Sequence, residues 1–331
     1  MRILAAVDKF RGSASAHEVA SAIGDACWDL GHEVVEVALA DGGEGLLEVF
    51  GGANRSNRVT GPLGTPVAAG WRIDGRTAII EMAQASGLVV AGGPENNRPL
   101  DATTAGVGEL ILAAVAAGAR RIIVGLGGSA TTDGGLGAVQ AIGNRGRIAG
   151  VELLVACDVT TVFTDAAPVF GPQKGATAAQ VELLRRRLER LAQQYDEQFG
   201  VDVSELPGSG AAGGLAGGLV ALGGRIEPGF SLVADEVGLH DEIAAADLVI
   251  TAEGHLDAQS FEGKVVGGVT AIAAESCTPV AVICGIADDD VAERLPTVSI
   301  AEKFGIERAM SEPRRCIAEA AREMISRYST R

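Results

Sequence analysis

Residues 122–137, IIVGLGGSATTDGGLG, decide the fold that the sequence predicts. The β-branched residues at 122–124 are typical of a buried strand, and the small and hydroxyl residues that follow predict a turn leading into a helix at 133–142. Such a turn presents free backbone N–H groups at the start of the helix, and these groups attract anions. We therefore expect Gly127, Gly128 and Ser129 to bind a phosphate or a carboxylate; a tight turn without a ligand is the simpler alternative.

The succession of strand, polar loop and helix recurs on both sides of this stretch. Towards the N-terminus, residues 2–7 and 33–39 predict strands, and the capping box formed by Ser15 and Glu18 predicts a helix that begins near Ala16. Towards the C-terminus, the pattern predicts strands at 248–251, 279–283 and 298–300 and helices at 265–274 and 316–325. This alternation is typical of a parallel sheet, in which ligands bind at the carboxyl ends of the strands.

The middle of the chain has a different pattern of predicted strands and helices. Two strands are predicted at 67–73 and 78–82, joined by Asp74 and Gly75 in a hairpin, and a helix follows at 105–117. We therefore predict an α/β protein in which one domain is inserted into another. The boundaries that the sequence predicts are 1–60 and 235–331 for a discontinuous parallel-sheet domain and 61–234 for the inserted mixed α/β domain.

Composition excludes several classes of protein. The net charge of −16 argues against nucleic acid and anionic membranes as partners, since their phosphates would repel the chain. Five cysteines without a CxxC pair and four histidines without an HExxH motif make a zinc site improbable, and they favour reduced thiols in the cytoplasm. No run is apolar enough to predict a membrane span. The acidic run at 288–290 is predicted to be a solvated loop.

Two nucleotide-binding motifs bear on the function of the chain. The chain has no GxxxxGK[ST] sequence, which excludes a P-loop kinase. Residues 125–130, GLGGSA, match the GxGxxG/A fingerprint that binds dinucleotides after a strand. That fingerprint expects an acidic residue about twenty positions further on, and no acid lies between Asp133 and Glu152. An NAD(P)-dependent oxidoreductase that uses this turn is therefore the alternative function.

Acidic and basic residues are concentrated where predicted strands end. Asp8, Asp41 and Asp158 each follow a strand, and Glu253 and Asp257 are predicted to lie in the loop after another. Single carboxylates at such turns usually cap the backbone. Several of them beside cations, with glycine-rich amides nearby, are instead the groups that phosphoryl transfer requires, because carboxylates bind Mg²⁺ and cations neutralise phosphate oxygens. The cations in question are Lys9, Arg11, Lys174 and Lys264.

Motifs spread over nearly the whole chain resemble those of the bacterial class I glycerate kinases. They occur in the order that the family has them: DKFRGS at 8–13, ADGGEG at 40–45, EMAQASGL at 81–88, the glycine-rich stretch at 125–135, ACDV at 156–159, FGPQKG at 170–175, GAAGG at 210–214 and GHLDAQ at 254–259. The resemblance implies a flavodoxin-like domain that carries an inserted mixed α/β domain, with the active site in the cleft between them. It also implies phosphorylation of D-glycerate by ATP with Mg²⁺, most often at the 2-hydroxyl.

On this hypothesis, we expect each candidate residue to have a defined role. Asp8, Asp41, Asp158 and Lys264 are the candidate catalytic residues, and Asp41 and Asp158 are the candidate Mg²⁺ ligands. We predict that Asp158→Asn lowers kcat by orders of magnitude while the protein still folds. The other candidates bind the substrate or its phosphates: Lys9, Arg11, Ser13, Gly127, Gly128, Ser129, Lys174 and Asp257.

The sequence departs from the family pattern at several positions. Arg11 replaces a usual Lys and keeps its charge, whereas Thr132, Ala252 and His255 stand where Asn, Gly and Arg are usual. Losing an arginine at 255 weakens the prediction of the substrate more than that of the reaction. These changes keep a third hypothesis open, a binder of small hydroxy acids that has lost kinase activity.

Overall fold

Two sheets organise the part of the chain that the computed structural model describes, residues 1–261, 263–289 and 291–329. The strands in these ranges are β1 (Arg2–Val7), β2 (Glu33–Ala38), β3 (Arg55–Thr60), β4 (Pro66–Asp74), β5 (Thr77–Glu81), β6 (Arg121–Gly125), β7 (Glu152–Ala156), β8 (Arg225–Glu227), β9 (Leu248–Leu256), β10 (Val280–Ala287) and β11 (Thr297–Ser299).

The α-helices of the same ranges lie between the strands and after them. They are α1 (Ala16–Asp29), α2 (Leu46–Val49), α3 (Ala83–Ser86), α4 (Ala105–Ala116), α5 (Leu136–Ile142), α6 (Ala166–Phe170), α7 (Ala178–Phe199), α8 (Ala211–Ala221), α9 (Gly229–Glu236), α10 (Leu239–Ala244), α11 (Val265–Ser276), α12 (Ile300–Phe304), α13 (Ile306–Ser311) and α14 (Pro313–Ser329).

The chain divides into two units, and the first is discontinuous. It comprises Met1–Asp41 and Phe230–Arg331, and the second unit comprises Gly42–Gly229. The second unit therefore begins earlier than the predicted position 61. The physical reason is that β3, which the polar sequence RSNRVT did not reveal as a strand, pairs antiparallel with β4 and belongs to the second sheet.

The first unit contains a five-stranded sheet in the order β11-β10-β9-β1-β2, and all of its strands are parallel. This is the flavodoxin-like order, in which the first strand of the unit lies between its second and third strands, here β2 and β9. The predicted capping box is present: Ser15 accepts from the Glu18 backbone, Glu18 accepts from the Ser15 backbone, and α1 begins at Ala16. The predicted flavodoxin-like parallel-sheet fold is confirmed.

Strand β9 is longer than predicted. The sequence predicts a strand at 248–251 and a loop after it, but β9 continues to Leu256. Its extension pairs with β10, which places Glu253 beside Cys284 and His255 beside Ile286. Glu253 therefore projects from a strand held by a regular hydrogen-bond ladder, and its position is fixed more firmly than that of a loop residue.

The second unit contains a mixed six-stranded sheet in the order β3-β4-β5-β6-β7-β8. The predicted hairpin of β4 and β5 is present, with Ile73 opposite Ala78, and β5 to β8 are parallel. Its core includes the buried aromatic residues Trp71, Phe163 and Tyr195, around which small aliphatic residues pack. The prediction of a mixed α/β domain is confirmed.

Three further expectations from the sequence can be compared with the structure. No helix among the described residues is long and apolar enough to cross a membrane. All five cysteines are free thiols. In the acidic run at 288–290, Asp288 and Asp289 are exposed, and Asp290 lies outside the described residues.

Candidate functional site

A cavity of about 450 Å³ opens where the parallel strands of the first unit end. Asp8 and Asp41 follow β1 and β2, and Glu253 lies near the end of β9, so three carboxylates from three strands line it. Strands β1 and β9 are neighbours at the point where the strand order reverses, which is where ligands bind in open parallel sheets. The structure thus brings together acids separated by more than two hundred residues of sequence.

Burial and neighbouring charges disfavour the ionisation of Asp8 and Glu253. The pKa of Asp8 is raised to about 7, chiefly by burial and also by the charges on Asp41 and Glu253, although the Lys9 backbone N–H donates to Asp8 Oδ1 over 2.7 Å. Burial likewise raises the pKa of Glu253, with Asp257 and Asp41 adding to the effect. Glu253 Oε2 is buried and has no hydrogen-bond partner among the described residues. A cation placed here would relieve this repulsion.

Predicted cations also line the same cavity. Lys264, at the N-cap of α11, has its Nζ atom 4.0 Å from Glu253 Oε1. Lys9 and Arg11 come from the loop after β1, and the Arg11 side chain is exposed. Positive and negative groups thus face one space, as charged phosphates and a metal ion would require.

The loop from Asp8 to Ala14 is held in a tight conformation beside the cavity. Phe10 is buried and exchanges backbone hydrogen bonds with Ala14, and Ser13 Oγ donates to the Phe10 carbonyl over 3.2 Å. Gly254 permits this approach, since a Cβ atom there would lie 3.2 Å from the Arg11 backbone nitrogen. Ser13, predicted as an anion ligand, thus lines the cavity but uses its hydroxyl to brace the loop.

Asp257 and His255 have local partners at the rim of the cavity. Asp257 Oδ1 accepts from the Ser260 backbone N–H over 2.9 Å and from the Ser260 hydroxyl over 3.2 Å, as a turn-capping carboxylate does. His255 Nε2 lies 2.8 Å from Asp288 Oδ1. Of the four departures from the family pattern named above, Arg11 and His255 line this cavity, whereas Thr132 and Ala252 are buried inside their units.

Part of the lining of the cavity is apolar. Its residues come from β10, α12 and α13, and we call them the apolar wall: Ile286, Ile300, Ala301, Ile306, Ala309 and Met310. The sequence analysis missed this surface. Short apolar stretches separated by glycine carry no signal that distinguishes a ligand-lining wall from ordinary core.

A second cavity, of about 330 Å³, lies in the second unit. Gly127, Gly128 and Ser129, which follow β6, line it together with Lys174 and the apolar side chain of Phe170. Gly128 has a φ of +62°, a conformation that glycine adopts without strain. The structure therefore places the glycine-rich loop and one predicted cation around a common space.

Lys174 is buried deeply beside that loop. Its Nζ atom donates to the Thr131 carbonyl over 2.6 Å, and burial lowers the pKa of its ammonium group to about 7. Asn97 Nδ2 donates to the carbonyls of Ala130 and Lys174, each over 2.9 Å. Lys174 thus holds the glycine-rich loop through its hydrogen bonds with Thr131 and Asn97, and it also lines the cavity.

The helix after the glycine-rich loop corrects one expectation. The predicted start at 133 is wrong: α5 begins at Leu136, and the partly buried Asp133 carboxylate accepts the backbone N–H groups of Gly135 and Gly137. It also accepts from the Thr104 backbone N–H and hydroxyl over 2.8 and 2.9 Å. The protein's own carboxylate, rather than a bound anion, occupies this helix start.

This arrangement counts against the dinucleotide-binding alternative. In that motif, the glycine turn leads straight into a helix whose N-terminus binds the pyrophosphate. Here residues 126–135 separate β6 from α5, and Asp133 already satisfies the helix start. The chain has a second GxGxxG sequence, GSGAAG at 208–213, and its glycines have a structural role. Gly213 has a φ of +71°, and a Cβ atom there would lie 1.9 Å from the Thr131 carbonyl oxygen.

Asp158 belongs to the second unit, where it follows β7. Its Oδ1 atom accepts the Gly229 backbone N–H over 2.7 Å. Val159, the next residue, lines the second cavity. Asp158 thus belongs to the second unit, whereas Asp8 and Asp41 line the cavity of the first unit.

Comparisons with known proteins agree with this fold. The sequence model of the glycerate kinase family matches residues 3–147 and 144–330. A glycerate 2-kinase from Escherichia coli K12 is 41% identical over 331 residues, covering 88% of this chain and 87% of the relative. A glycerate kinase from Bacillus subtilis 168 is 40% identical, covering 86% and 85%. A crystal structure described as glycerate kinase 2 from Salmonella typhimurium LT2 is 36% identical, with a TM-score of 0.86 and coverage of 100% and 98%. The chain belongs to the glycerate kinase family.

Proposed function

We propose that this protein transfers the γ-phosphoryl group of ATP to D-glycerate, with the 2-hydroxyl as acceptor. The observation that carries the proposal is the cavity of the first unit, where Asp8, Asp41 and Glu253 face Lys9 and Lys264 at the strand ends. Family membership supports the reaction, and the glycerate 2-kinase among the relatives favours the 2-hydroxyl.

The residues of the cavity suit a magnesium ion that arrives with the nucleotide. Among the described residues, no group of three or more acidic, histidine or cysteine side chains forms a metal cage. Mg²⁺ bound with ATP needs no such cage, because one or two carboxylates, waters and phosphate oxygens complete its shell. The buried, unpartnered Oε2 of Glu253 and the neighbouring Asp8 and Asp41 supply those carboxylates. The bound ion would neutralise charge on the phosphate oxygens.

The cations of the first unit complement this role. Lys264 lies close enough to Glu253 to be oriented by its carboxylate, and we propose that its ammonium group stabilises the charge on the transferred phosphoryl group. Lys9 and Arg11 hold the remaining phosphates. Their charges compensate locally for the net charge of −16, which would otherwise repel both substrates.

We propose that D-glycerate binds to the second unit. The cavity of the second unit has a volume of about 330 Å³, smaller than that of the first unit. It offers the backbone of Gly127, Gly128 and Ser129 to a carboxylate. Asp158 would orient the acceptor hydroxyl or accept its proton. Its assignment as a metal ligand stays a prediction, as does the location of the reaction between the two domains.

Asp158→Asn is expected to lower kcat at least about hundredfold. The amide keeps the Oδ1 atom that accepts from Gly229, so the fold should be retained, but it cannot accept a proton from the substrate. Steady-state kinetics and circular dichroism measure the two effects. Asp165→Asn, an exposed aspartate of the same unit, is the control. Near wild-type turnover in Asp158→Asn would remove this residue from the mechanism.

The reaction itself can be tested with the purified protein. We expect ADP release that depends on both D-glycerate and Mg-ATP, and a 2-phosphoglycerate resonance in the ³¹P spectrum of the product. A 3-phosphoglycerate resonance would overturn the choice of hydroxyl. Binding of D-glycerate without ADP release would favour the inactive binder. Cofactor binding detected by titration with NAD(P)H in place of ATP would favour the oxidoreductase.

We also propose that the enzyme acts in the cytoplasm, without nucleic acid or a membrane as partner. The five free thiols and the acidic net charge support this proposal. The oligomeric state stays open.

A further inference from the structure

Several large hydrophobic side chains of the apolar wall are exposed, although a phosphate site requires no apolar surface. Ile286, Ile306 and Met310 are 44%, 68% and 55% exposed, and all three line the cavity of the first unit. Single exposed hydrophobic residues are common, whereas several around one concave site mark a place where a ligand covers them.

The backbone around the wall holds these side chains in fixed positions. Helix α12 begins directly after β11, and Gly305 joins it to α13 with φ 85° and ψ 146°, a conformation that disfavours side chains. Ile306, Ala309 and Met310 have the i, i+3, i+4 spacing of one helix face. Ala309, in the middle of this face, is buried in the core of the unit. The helix is thus anchored by Ala309 while its larger neighbours remain available.

The lining of the cavity combines two kinds of chemistry. It includes the carboxylates and cations assigned above to the phosphates and also the apolar wall, which contributes no charged or hydroxyl side chain. A ligand that matches both kinds of lining has a polyanionic part joined to a flat, weakly polar part. Sites for such ligands are mostly apolar, with a few polar groups that fix the orientation. D-glycerate has no apolar surface to match the wall.

We propose that the nucleobase of ATP packs against Ile306, Met310 and the neighbouring isoleucines of the apolar wall. This inference rests on the proposed function, because that function supplies the nucleotide. It assigns the base to the first unit and extends the phosphate site to a complete nucleotide site.

The double variant Ile306→Ser/Met310→Ser tests the proposal. Both side chains are largely exposed, so their replacement should leave the fold intact. Calorimetric titration is expected to show a dissociation constant for Mg-ATP raised at least about tenfold, because the base loses its apolar contacts. The dissociation constant for magnesium tripolyphosphate, which has no base, should change by less than about threefold. Trp28→Ser, at a 70% exposed residue of α1, is the matched control and should change neither value.

The outcomes separate this inference from the proposed function. If the double variant binds Mg-ATP as tightly as the wild type does, the base does not lie on the apolar wall. The same holds if the variant loses affinity for Mg-ATP and for magnesium tripolyphosphate equally. Turnover of D-glycerate by the wild type would then still stand. If the wild type binds Mg-ATP with the expected dependence on the wall but does not phosphorylate D-glycerate, the nucleotide site stands and the proposed function fails. No Mg-ATP binding by the wild type would overturn both.

Discussion

Asp8→Asn is expected to lower kcat about 10³-fold and, at the same time, to stabilise the metal-free protein at pH 8. The catalytic loss follows from removing a carboxylate that helps to hold the nucleotide-bound Mg²⁺. The gain in stability follows because burial and the charges of Asp41 and Glu253 disfavour an ionised Asp8, raising its pKa from 3.8 to about 7. The amide keeps the Oδ1 atom that accepts from the Lys9 backbone.

The sign of the pH dependence follows from proton binding. Between pH 3.8 and about 7, the folded wild type retains a proton on Asp8 that the unfolded chain has lost, so its stability falls as pH rises. The full shift corresponds to about 4 kcal/mol, and partial solvent exposure reduces the expected effect to about 1–3 kcal/mol. The variant has no carboxyl group to ionise at this position, so it does not lose this stability as pH rises. Its free energy of unfolding should equal that of the wild type near pH 4 and exceed it by the full amount at pH 8.

Urea unfolding in EDTA at pH 4, 6 and 8 measures this difference, with EDTA removing any bound metal. Asp25→Asn is the control: its side chain is 65% exposed, and its unfolding free energy should stay within about 0.5 kcal/mol of the wild type. A difference between Asp8→Asn and the wild type that does not grow from pH 4 to pH 8 would contradict the electrostatic account of the cavity.

Asp133→Ala is expected to destabilise the second unit by about 3–5 kcal/mol. The carboxylate is partly buried, and it accepts four hydrogen bonds from the buried residues Thr104, Gly135 and Gly137, two of them from Thr104. Alanine would leave these donors without water or protein partners at the junction of α4 and α5. The loss exceeds what one hydrogen bond contributes, because several buried donors lose their acceptor together.

Circular dichroism during urea unfolding measures the change. Asp101→Ala, at an exposed aspartate of the same unit, is the matched control and should cost less than about 0.5 kcal/mol. A loss below about 1 kcal/mol for Asp133→Ala would show that the buried network is not needed for stability. A large loss of turnover with unchanged stability would instead assign Asp133 a role in binding the substrate.

Local signals made much of the fold predictable. Strand β1 has the predicted bounds, and α1 begins at its capping box. The predicted β4–β5 hairpin is present, but its turn is formed by Gly75 and Arg76, because Asp74 still pairs with Thr77. Strand β3 was not predicted because its polar sequence has no strand pattern, and the extension of β9 was not predicted because pairing with β10 holds it.

The sequence by itself determined the element types, the insertion of one α/β unit into another and the residue types of the candidate site, since periodicity, caps and motifs are properties of neighbouring residues. Only the tertiary structure decided which of these residues share a space. It grouped Asp8 and Asp41 with Glu253, left Asp158 in the other unit, turned Asp133 inward as a helix cap, and assembled the apolar wall from three separate elements. The physical reason is that burial and proximity arise from packing between parts of the chain far apart in sequence, and no local pattern records them.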